Sequence, residues 1–411
     1  MRNIKLMVYL NLIFFQVGLL ESMMSALIPE MIHSFQVGYG LASVMPLAYY
    51  AAIALLCIPA GMIGSRYSSV RMLFFAFMLA LAGVFMFVVF LSYQASVASL
   101  FLMGSAAAVM QVTAMPLVRK TCGAENLSFH TTLNQLMFGL GAFLSPFIYS
   151  RLTSGMLSGE RFFPVNLLRH VVPGGFEWTS AYWLFVPSII SLMVAAVLVR
   201  FPEHAKDRSS AQTGKNGTRE LFRNRYVIFF FVSMAAYASC EQGIAAWMSE
   251  YFQDVHGLDP LTEGASRLSL YWLLLTVGCL GGMLLLKFFE SRKVLAVSTV
   301  CAIASLLFAL HGGTHVSGIA FPLVAVFESV MWPVIMSLAL NSVSRHHEVL
   351  SGFMFTAFIG GALGPVIIGS MGDRLGLGIS LHYLFLPLSV VLSVAFLAKP
   401  LVNNKRITIK N

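Results

Sequence analysis

Long apolar segments, separated by short polar or glycine-rich breaks, occupy almost the whole chain. A helix needs about 20 apolar residues to cross the hydrocarbon core of a bilayer. Strands of a membrane barrel would instead alternate apolar and polar residues, which these segments do not. The pattern therefore predicts an all-α polytopic membrane protein. Its twelve predicted transmembrane helices are Leu6–Met31, Ala42–Ile63, Met72–Leu91, Ser96–Val118, Ser128–Arg151, Thr179–Val199, Tyr226–Phe252, Ala265–Phe288, Val294–Leu310, Ile319–Leu340, Val349–Met371 and Ile379–Leu397.

The composition agrees with a membrane protein. Of the 411 residues, 58% are hydrophobic and 10% are charged, whereas soluble domains carry about 25% charged residues. A lipid bilayer removes the need for the polar surface that this chain lacks. The net charge of +9 comes from basic residues spread along the chain. We therefore expect no nucleic-acid partner, and a monomer surrounded by lipid.

The 26 Lys and Arg residues indicate the orientation, because cytoplasmic loops of membrane proteins are enriched in them. When twelve helices alternate in direction, most basic residues fall on the same side as the N-terminus. Those on the opposite side are Arg151, Arg161, Arg169, Arg267 and Arg374. The sequence thus predicts a multi-pass protein of the inner (plasma) membrane of the cell, with both termini in the cytoplasm.

Two connections are longer than the others. Residues 202–225 are polar and basic, and they are interpreted as a cytoplasmic linker. It would join an N-terminal six-helix bundle, residues 1–201, to a C-terminal six-helix bundle, residues 226–411. Residues 153–178 lie on the outer side and include charged residues and a proline, which favours an interfacial element or lid over a further span.

An internal repeat with an offset of about 220 residues relates the two predicted halves. Glu21 and Glu30 of the first helix correspond to Glu241 and Glu250 of the seventh. A Gly-Ala sequence that leads to a proline occurs at residues 141–146 in the fifth helix and at 361–365 in the eleventh. Matches in corresponding helices predict two pseudo-symmetric bundles.

Three acidic residues, Glu21, Glu241 and Glu328, fall near the middle of predicted spans. A charge there costs at least about 2.5–3.5 kcal/mol, and no Lys or Arg lies at a comparable depth. The three carboxyls predict a site for a coupling cation or proton, with Ser25 as a neutral ligand one turn from Glu21. A protonated structural glutamate bonded to a neighbouring helix is the alternative.

Neutral polar residues and tryptophans gather at a similar depth. Amides offer hydrogen-bond donors and acceptors, and an aromatic plane suits the apolar face of a sugar ring. Hydrogen bonding and packing between helices are the alternative roles. The predicted substrate-binding residues are Gln16, Gln111, Asn134, Gln135, Gln242, Trp247, Glu328 and Trp332.

The loop between the second and third helices is glycine-rich and basic, from Gly61 to Arg71. Its glycines allow close approach of helices, and Arg66 and Arg71 could pair with helix ends or a carboxylate in one conformation, which is a gating role. An ordinary positively charged cytoplasmic loop is an equal alternative.

Motifs of soluble enzymes are absent from the sequence: it contains no phosphate-binding loop, HExxH or CxxC. The five cysteines have no metal-binding or redox spacing and are interpreted as small buried hydrophobic residues. We therefore expect no enzymatic activity, no cofactor and no metal site. H⁺ or Na⁺ remain as possible coupling ions.

The loop from Gly61 to Arg71 resembles the signature of the major facilitator superfamily, Gly-x-x-x-Asp-Arg-x-Gly-x-x-Arg, with Ser65 at the Asp and Ser68 at the second Gly. Within that superfamily the chain is most similar to the fucose/glucose (fucose–galactose–glucose:proton) permeases. Residues 327–340, FESVMWPVIMSLAL, resemble the tenth-helix sequence FNSIMFPTIFSLAL of that family, and Phe14-Phe15-Gln16-Val17-Gly18 resembles its opening motif. The resemblance implies two six-helix bundles around a central cavity.

The resemblance also shows where this chain departs from the family. The first-helix Asp that binds the proton in the family falls on Ser25, and its fourth-helix Glu falls on Gln111. Glu21 lies four residues before Ser25, one turn away on the same helix face. We hypothesise that Glu21 takes over the coupling role, shared with its repeat partner Glu241.

These features predict secondary transport by alternating access, in which the halves rock around a fixed site. The expected substrate is a small neutral polar solute, a hexose or related sugar, because the predicted cavity offers amides and aromatics but no cation for an anion. Coupling to protons, coupling to sodium and uniport all remain open. The alternative is an exporter of cationic or amphiphilic compounds, a multidrug-type antiporter with the three glutamates as counter-charges.

Overall fold

The computed structural model describes residues 4–37, 44–159, 162–201, 223–258 and 263–404. Most of the predicted linker and the side chain of Ser25 lie outside this description. In the described ranges, one helical segment corresponds to each of the twelve predicted spans. They are α1 Ile4–Phe35, α2 Val44–Gly64, α3 Ser69–Val89, α4 Tyr93–Cys122, α5 Leu127–Leu157, α6 Ser180–Leu198, α7 Arg225–His256, α8 Ala265–Phe288, α9 Ser291–His311, α10 in two pieces, Thr314–Glu328 and Met331–Asn341, α11 in two pieces, His347–Thr356 and Ile359–Leu375, and α12, which runs from Leu377–Ser380 through a 3₁₀ turn to Phe385–Leu397.

Eleven of these twelve segments are long and apolar enough to cross a membrane. The other is α5, which has 31 residues but carries hydroxyl and amide side chains along its first half. These are Ser128, Thr131, Thr132, Asn134 and Gln135. With 31 residues α5 is long enough to cross a bilayer, and its polar half distinguishes it from the other segments.

Helix α10 is interrupted directly after Glu328. Pro333 has no N–H, so the carbonyl of Ser329 cannot receive the usual helical hydrogen bond from four residues further on. The thiol of Cys279 on α8 instead approaches the Ser329 carbonyl oxygen, at 3.7 Å. The helix resumes with the bond from Val334 N–H to the Val330 carbonyl, at 3.1 Å. The break therefore places a local bend beside a buried carboxyl.

The chain forms two compact units: one contains Met1–Leu117 and Met137–Ala205, and the other contains Val118–Leu136 and Lys206–Asn411. The second unit thus includes the end of α4 and the polar half of α5, in addition to α7–α12. Residues that precede the predicted linker therefore contribute to the second unit.

Glycines allow close packing of corresponding helix pairs in each unit. In the first unit, a Cβ on Gly18 of α1 would collide with the Phe138 carbonyl of α5. In the second unit, a Cβ on Gly360 of α11 would collide with the Ala235 carbonyl of α7. The α1–α5 contact and the α7–α11 contact therefore join helices that correspond to each other in the sequence repeat.

Gly360→Ala is expected to lower the melting temperature of the purified protein, because the added methyl meets a backbone carbonyl that cannot rotate away. Overpacking of this kind costs about 1–3 kcal/mol. Gly281→Ala on α8 is the control, because its Cβ would meet open space. Equal melting temperatures for the two variants would show that α7 and α11 lie farther apart at Gly360 than the structure indicates.

The outer segment, predicted as residues 153–178, packs onto the first unit where it is described. A one-turn helix, Val165–Leu168, buries both of its terminal residues. Arg169 donates to the Gly155 carbonyl at 3.3 Å, and Phe162 lies under the Arg151 guanidinium, 4.4 Å from it. The segment is therefore an ordered cover on this unit, and its role as a lid remains a prediction.

Candidate functional site

Two buried carboxyl groups lie among α7, α8 and α10 of the second unit. Glu328 has no exposed surface and Glu241 is 6% exposed. Tyr237 donates its hydroxyl hydrogen to Glu241 Oε1 at 2.5 Å, and Tyr271 donates to Glu328 Oε2. The Tyr271 hydroxyl oxygen also lies 3.5 Å from the main-chain oxygen of Glu241. Tyr271 therefore links the surroundings of the two carboxyls.

These carboxyls have uncharged partners: the tyrosine hydroxyls, with the Cys240 thiol close to Glu328 and the Gln242 amide close to Glu241. The titratable groups that interact with them are Tyr237 and Cys240 on α7 and Tyr271 and Cys279 on α8. Within the described residues, the second oxygen of Glu328, Oε1, is buried and has no hydrogen-bond partner. A buried polar atom in this condition costs about 1–3 kcal/mol, so Oε1 is a position where a proton or a ligand atom would be stabilising.

Hydroxyl contacts fix the register of α5 against α10. Ser128 donates to Ser337 at 2.8 Å. The Thr131 hydroxyl oxygen lies 3.0 Å from the Pro333 carbonyl oxygen and equally close to two carbonyls of its own helix. Residue numbers rise along α5 as they fall along α10, so the two helices are antiparallel here. Continuing this register brings residues 134–135 to the level of residues 328–331. The polar part of α5 thus approaches the depth of Glu328.

Asn134 is fully buried on this part of α5. Neither its amide nitrogen nor its amide oxygen has a partner in the part of the chain that the structure describes. Gln135 beside it is half-buried. An amide buried without bonds at either end is costly, which points to a bound ligand or water as its partner.

Trp332 supplies an aromatic surface at the same level. Its ring centre lies 5.8 Å from that of Phe355 and 6.2 Å from that of Phe358. The residue is 3% exposed, and its Nε1–H has no acceptor among the described residues. A flat apolar face and a free donor are thus present together.

The other predicted residues of the second unit have packing contacts. Trp247 donates its Nε1–H to the Pro365 carbonyl of α11 at 2.9 Å and would block any side chain at Gly369. Gln242 lies against Gly361 in the same way. Both Trp247 and Gln242 thus pack against α11, and a contact of either with substrate remains a prediction.

In the first unit, Gln16 is 2% exposed and its Nε2 has no partner within the described ranges. Gln111 is buried as well, at 8% exposure. Glu21 is half-buried and accepts a hydrogen bond from the exposed Tyr50 hydroxyl at 3.2 Å. Both carboxyl sites of the repeat, Glu21 and Glu241, therefore have a tyrosine partner.

The ends of α4, α10 and α11 are joined by polar contacts that sequence reasoning missed. Lys120 Nζ lies 2.9 Å from Glu348 Oε1. Arg119 Nε donates to Asn341 Oδ1 at 3.1 Å, and Asn341 Nδ2 donates to the Ala124 carbonyl at 2.8 Å. We call Arg119, Lys120, Asn341 and Glu348 the inner clasp. The adjacent basic pair at the end of α4 was its only sequence signal.

In the loop that resembles the superfamily signature, Ser65 stands at the Asp position and makes no hydrogen bond to another helix in the described structure. Ser65 donates to the Met62 carbonyl of its own helix at 2.7 Å, and Arg66 and Arg71 are exposed. The gating role of these arginines remains a prediction.

Comparisons with known proteins show that the chain is similar to transporters. The family model of the Major Facilitator Superfamily matches residues 10–365. A glucose/galactose transporter of Brucella abortus biovar 1 (strain 9-941) is 25% identical over 393 residues, which cover 94% of this chain and 92% of that protein. The L-fucose-proton symporter of Escherichia coli K12 is 21% identical over 378 residues, covering 89% and 86%.

A solved structure agrees in fold. The crystal structure of the E. coli fucose:proton symporter superimposes with a TM-score of 0.83 at 20% identity, covering 97% of this chain and 100% of that one. This likeness confirms the predicted fold class.

Proposed function

Since the chain belongs to the Major Facilitator Superfamily, we propose that it is a secondary transporter that carries a neutral hexose or a related sugar through the membrane by alternating access. The observation that carries the choice of substrate is a set of buried polar atoms without partners in the described residues. They are the amide of Asn134 and Nε1 of Trp332, both in the second unit. Hydroxyl groups of a sugar both donate and accept, so they match this mixture.

The surroundings of these atoms favour a neutral solute over a charged one. Trp332 with Phe355 and Phe358 offers aromatic faces, to which the apolar face of a sugar ring packs. The carboxyls of Glu241 and Glu328 accept hydrogen bonds from tyrosines instead of lying open as counter-charges for a cationic drug. The names of the glucose/galactose transporter and the fucose symporter agree with this choice.

Proton coupling completes the proposal. One relative is named a proton symporter, and this chain has acidic residues inside its membrane helices. A proton gradient would then drive uptake, with sodium coupling and uniport as competing outcomes of the test.

Purified protein in liposomes tests the function. Labelled glucose, galactose and fucose are offered under an inward proton gradient, an inward sodium gradient, and no gradient. We expect accumulation of at least one hexose above its external concentration with the proton gradient only. Folded protein that takes up none of the sugars under any condition would contradict the proposal.

We also propose that both termini face the cytoplasm of a cell whose plasma membrane holds the protein. In a variant without native cysteines, an impermeant maleimide added to intact cells should label Ser158→Cys and should label Gly214→Cys only after the membrane is opened. Position 214 lies outside the described residues, but its side of the membrane follows from the number of spans before it. Labelling of both positions in intact cells would refute this topology.

We propose in addition that the inner clasp breaks and re-forms in each transport cycle. Lys120→Glu is expected to change the rate of hexose uptake up to about fivefold, since a partly exposed ion pair contributes about 0.2–1 kcal/mol. The double variant Lys120→Glu/Glu348→Lys should restore the parent rate because it restores the pair in reverse. Lys399→Glu, a charge reversal at an exposed position, is the control, and failure of the double variant to recover would count against the clasp.

A further inference from the structure

We propose that Glu328 on α10 carries the coupling proton, with Glu241 on α7 as a second, nearby carboxyl, whose main-chain oxygen lies 3.5 Å from the Tyr271 hydroxyl. This assignment rests on the proposed function, namely transport driven by protons. It places the proton site within the second unit, whereas the sequence emphasised Glu21 in the first.

The first argument is the free oxygen of Glu328. Each tyrosine hydroxyl has one hydrogen to donate, and Tyr271 gives its hydrogen to Oε2 of Glu328. Oε1 is buried and without a partner within the described ranges. A proton bound to Oε1 would turn this carboxylate into a neutral acid with a donor of its own. The site is thus prepared for a proton at one identified atom.

The second argument is the charge balance. Glu328 and Glu241 are both buried, and the titratable groups that face them are Tyr237 and Cys240 from α7 and Tyr271 and Cys279 from α8. All four are neutral when protonated, and α9, α11 and α12 add no group with a positive charge to the described interactions of either carboxyl. Two negative charges would therefore lie uncompensated inside a membrane protein, which is expensive. A proton removes one of them.

The third argument is the position of Glu328 beside the proposed sugar site. Glu328 is the last residue of the outer piece of α10, and Trp332 lies in the first turn of the next piece. The register of α5 brings Asn134 to the same level. A hydroxyl of the bound sugar at this level would accept a hydrogen bond from protonated Oε1. Proton and sugar would then each stabilise the binding of the other, which is the thermodynamic requirement for coupling.

The break in α10 supplies the movable element. Ser329 and Val330 lie between the two helical pieces, so a rotation there reorients Glu328 without unwinding a continuous helix. In the proposed cycle, a proton passes from water on one side to Glu328 Oε1 and returns to water on the other side. The only bond formed and broken is O–H, and no other reactant is needed.

Glu328→Gln tests the assignment, because it keeps the shape and a hydrogen-bond donor but cannot release a proton. We expect it to abolish both proton-driven accumulation of hexose and the alkalinisation of a lightly buffered medium when sugar is added. Exchange of labelled for unlabelled sugar at equal concentrations should persist. Glu250→Gln, at an exposed position of α7, is the matched control and should behave like the parent.

Further variants separate the possible failures. If the parent protein moves no hexose, the proposed function fails. If the parent accumulates hexose with protons and Glu328→Gln still does so, the assignment of the proton to Glu328 is overturned and the proposed function stands. The assignment is also overturned if Glu21→Gln abolishes coupling and Glu328→Gln does not. Accumulation driven by sodium instead of protons would also overturn it. If Glu328→Gln does not fold, Glu328→Asp serves instead: it should shift the pH profile of accumulation, and an unchanged profile would refute the proposal.

Discussion

Asn134→Leu is expected to abolish detectable hexose binding while making the unliganded transporter more stable to heat. Both ends of the Asn134 amide are buried without partners in the described structure. Leucine has the same number and branching of side-chain heavy atoms and no polar atoms, so it removes an unmet desolvation cost of about 1–3 kcal/mol. In the complex, the same change removes two hydrogen bonds to sugar and leaves the sugar hydroxyls unpaired, which corresponds to roughly a 100-fold loss of affinity.

Calorimetric titration of hexose and a thermal melt without sugar measure the two effects. Ser145→Ala is the control on the same helix, because Ser145 is buried but donates to the Leu19 carbonyl at 2.9 Å. This control should lose stability and keep its affinity. An Asn134→Leu variant that binds hexose as tightly as the parent would show that the amide has a structural role and that the sugar site lies elsewhere.

Trp332→Phe is expected to weaken hexose binding about tenfold with little change in stability. Phenylalanine keeps an aromatic face beside Phe355 and Phe358 but removes Nε1–H, a donor without a partner in the described residues. The loss of a donor that serves only the ligand costs about 1 kcal/mol or somewhat more when the ligand acceptor is left unpaired.

Trp272→Phe is the comparison for this change, since Trp272 is 39% exposed on α8 and should affect neither property. Equal affinities for Trp332→Phe and the parent would mean that the Trp332 ring only packs against its aromatic neighbours.

The helices could be predicted from the sequence because the length of apolar segments is set by the bilayer itself. The positions at which helices are interrupted could not be predicted in this way. Pro333 coincides with the break in α10, yet Pro116 and Pro187 lie inside continuous helices. A proline leaves one carbonyl without its helical bond, and tertiary partners decide whether the helix then separates into pieces.

The sequence suggested which residues belong to the candidate site, but not which of them hydrogen-bond to one another. Tyr237 lies one turn from Glu241, so this pair could have been found from spacing. Tyr271 is 57 residues from Glu328, and only the packing of α8 against α10 brings them together. Sequence likewise treated Asn134 and Trp247 as equal candidates, whereas the structure gives Trp247 a hydrogen bond to α11 and leaves Asn134 with none in the described residues.

The polar half of α5 has a consequence for how the protein is made. Ser128 finds its hydroxyl partners on Ser291 and Ser337, and Ser337 follows it by 209 residues. At about 5–20 residues per second, a ribosome needs roughly 10–40 s to deliver that partner. During this time, α5 must be held by the insertion machinery or by earlier helices, since the Ser128 hydroxyl and the Asn134 and Gln135 amides are costly in lipid. The nascent N-terminal helices would therefore be most vulnerable to quality-control proteases until α10 has been inserted.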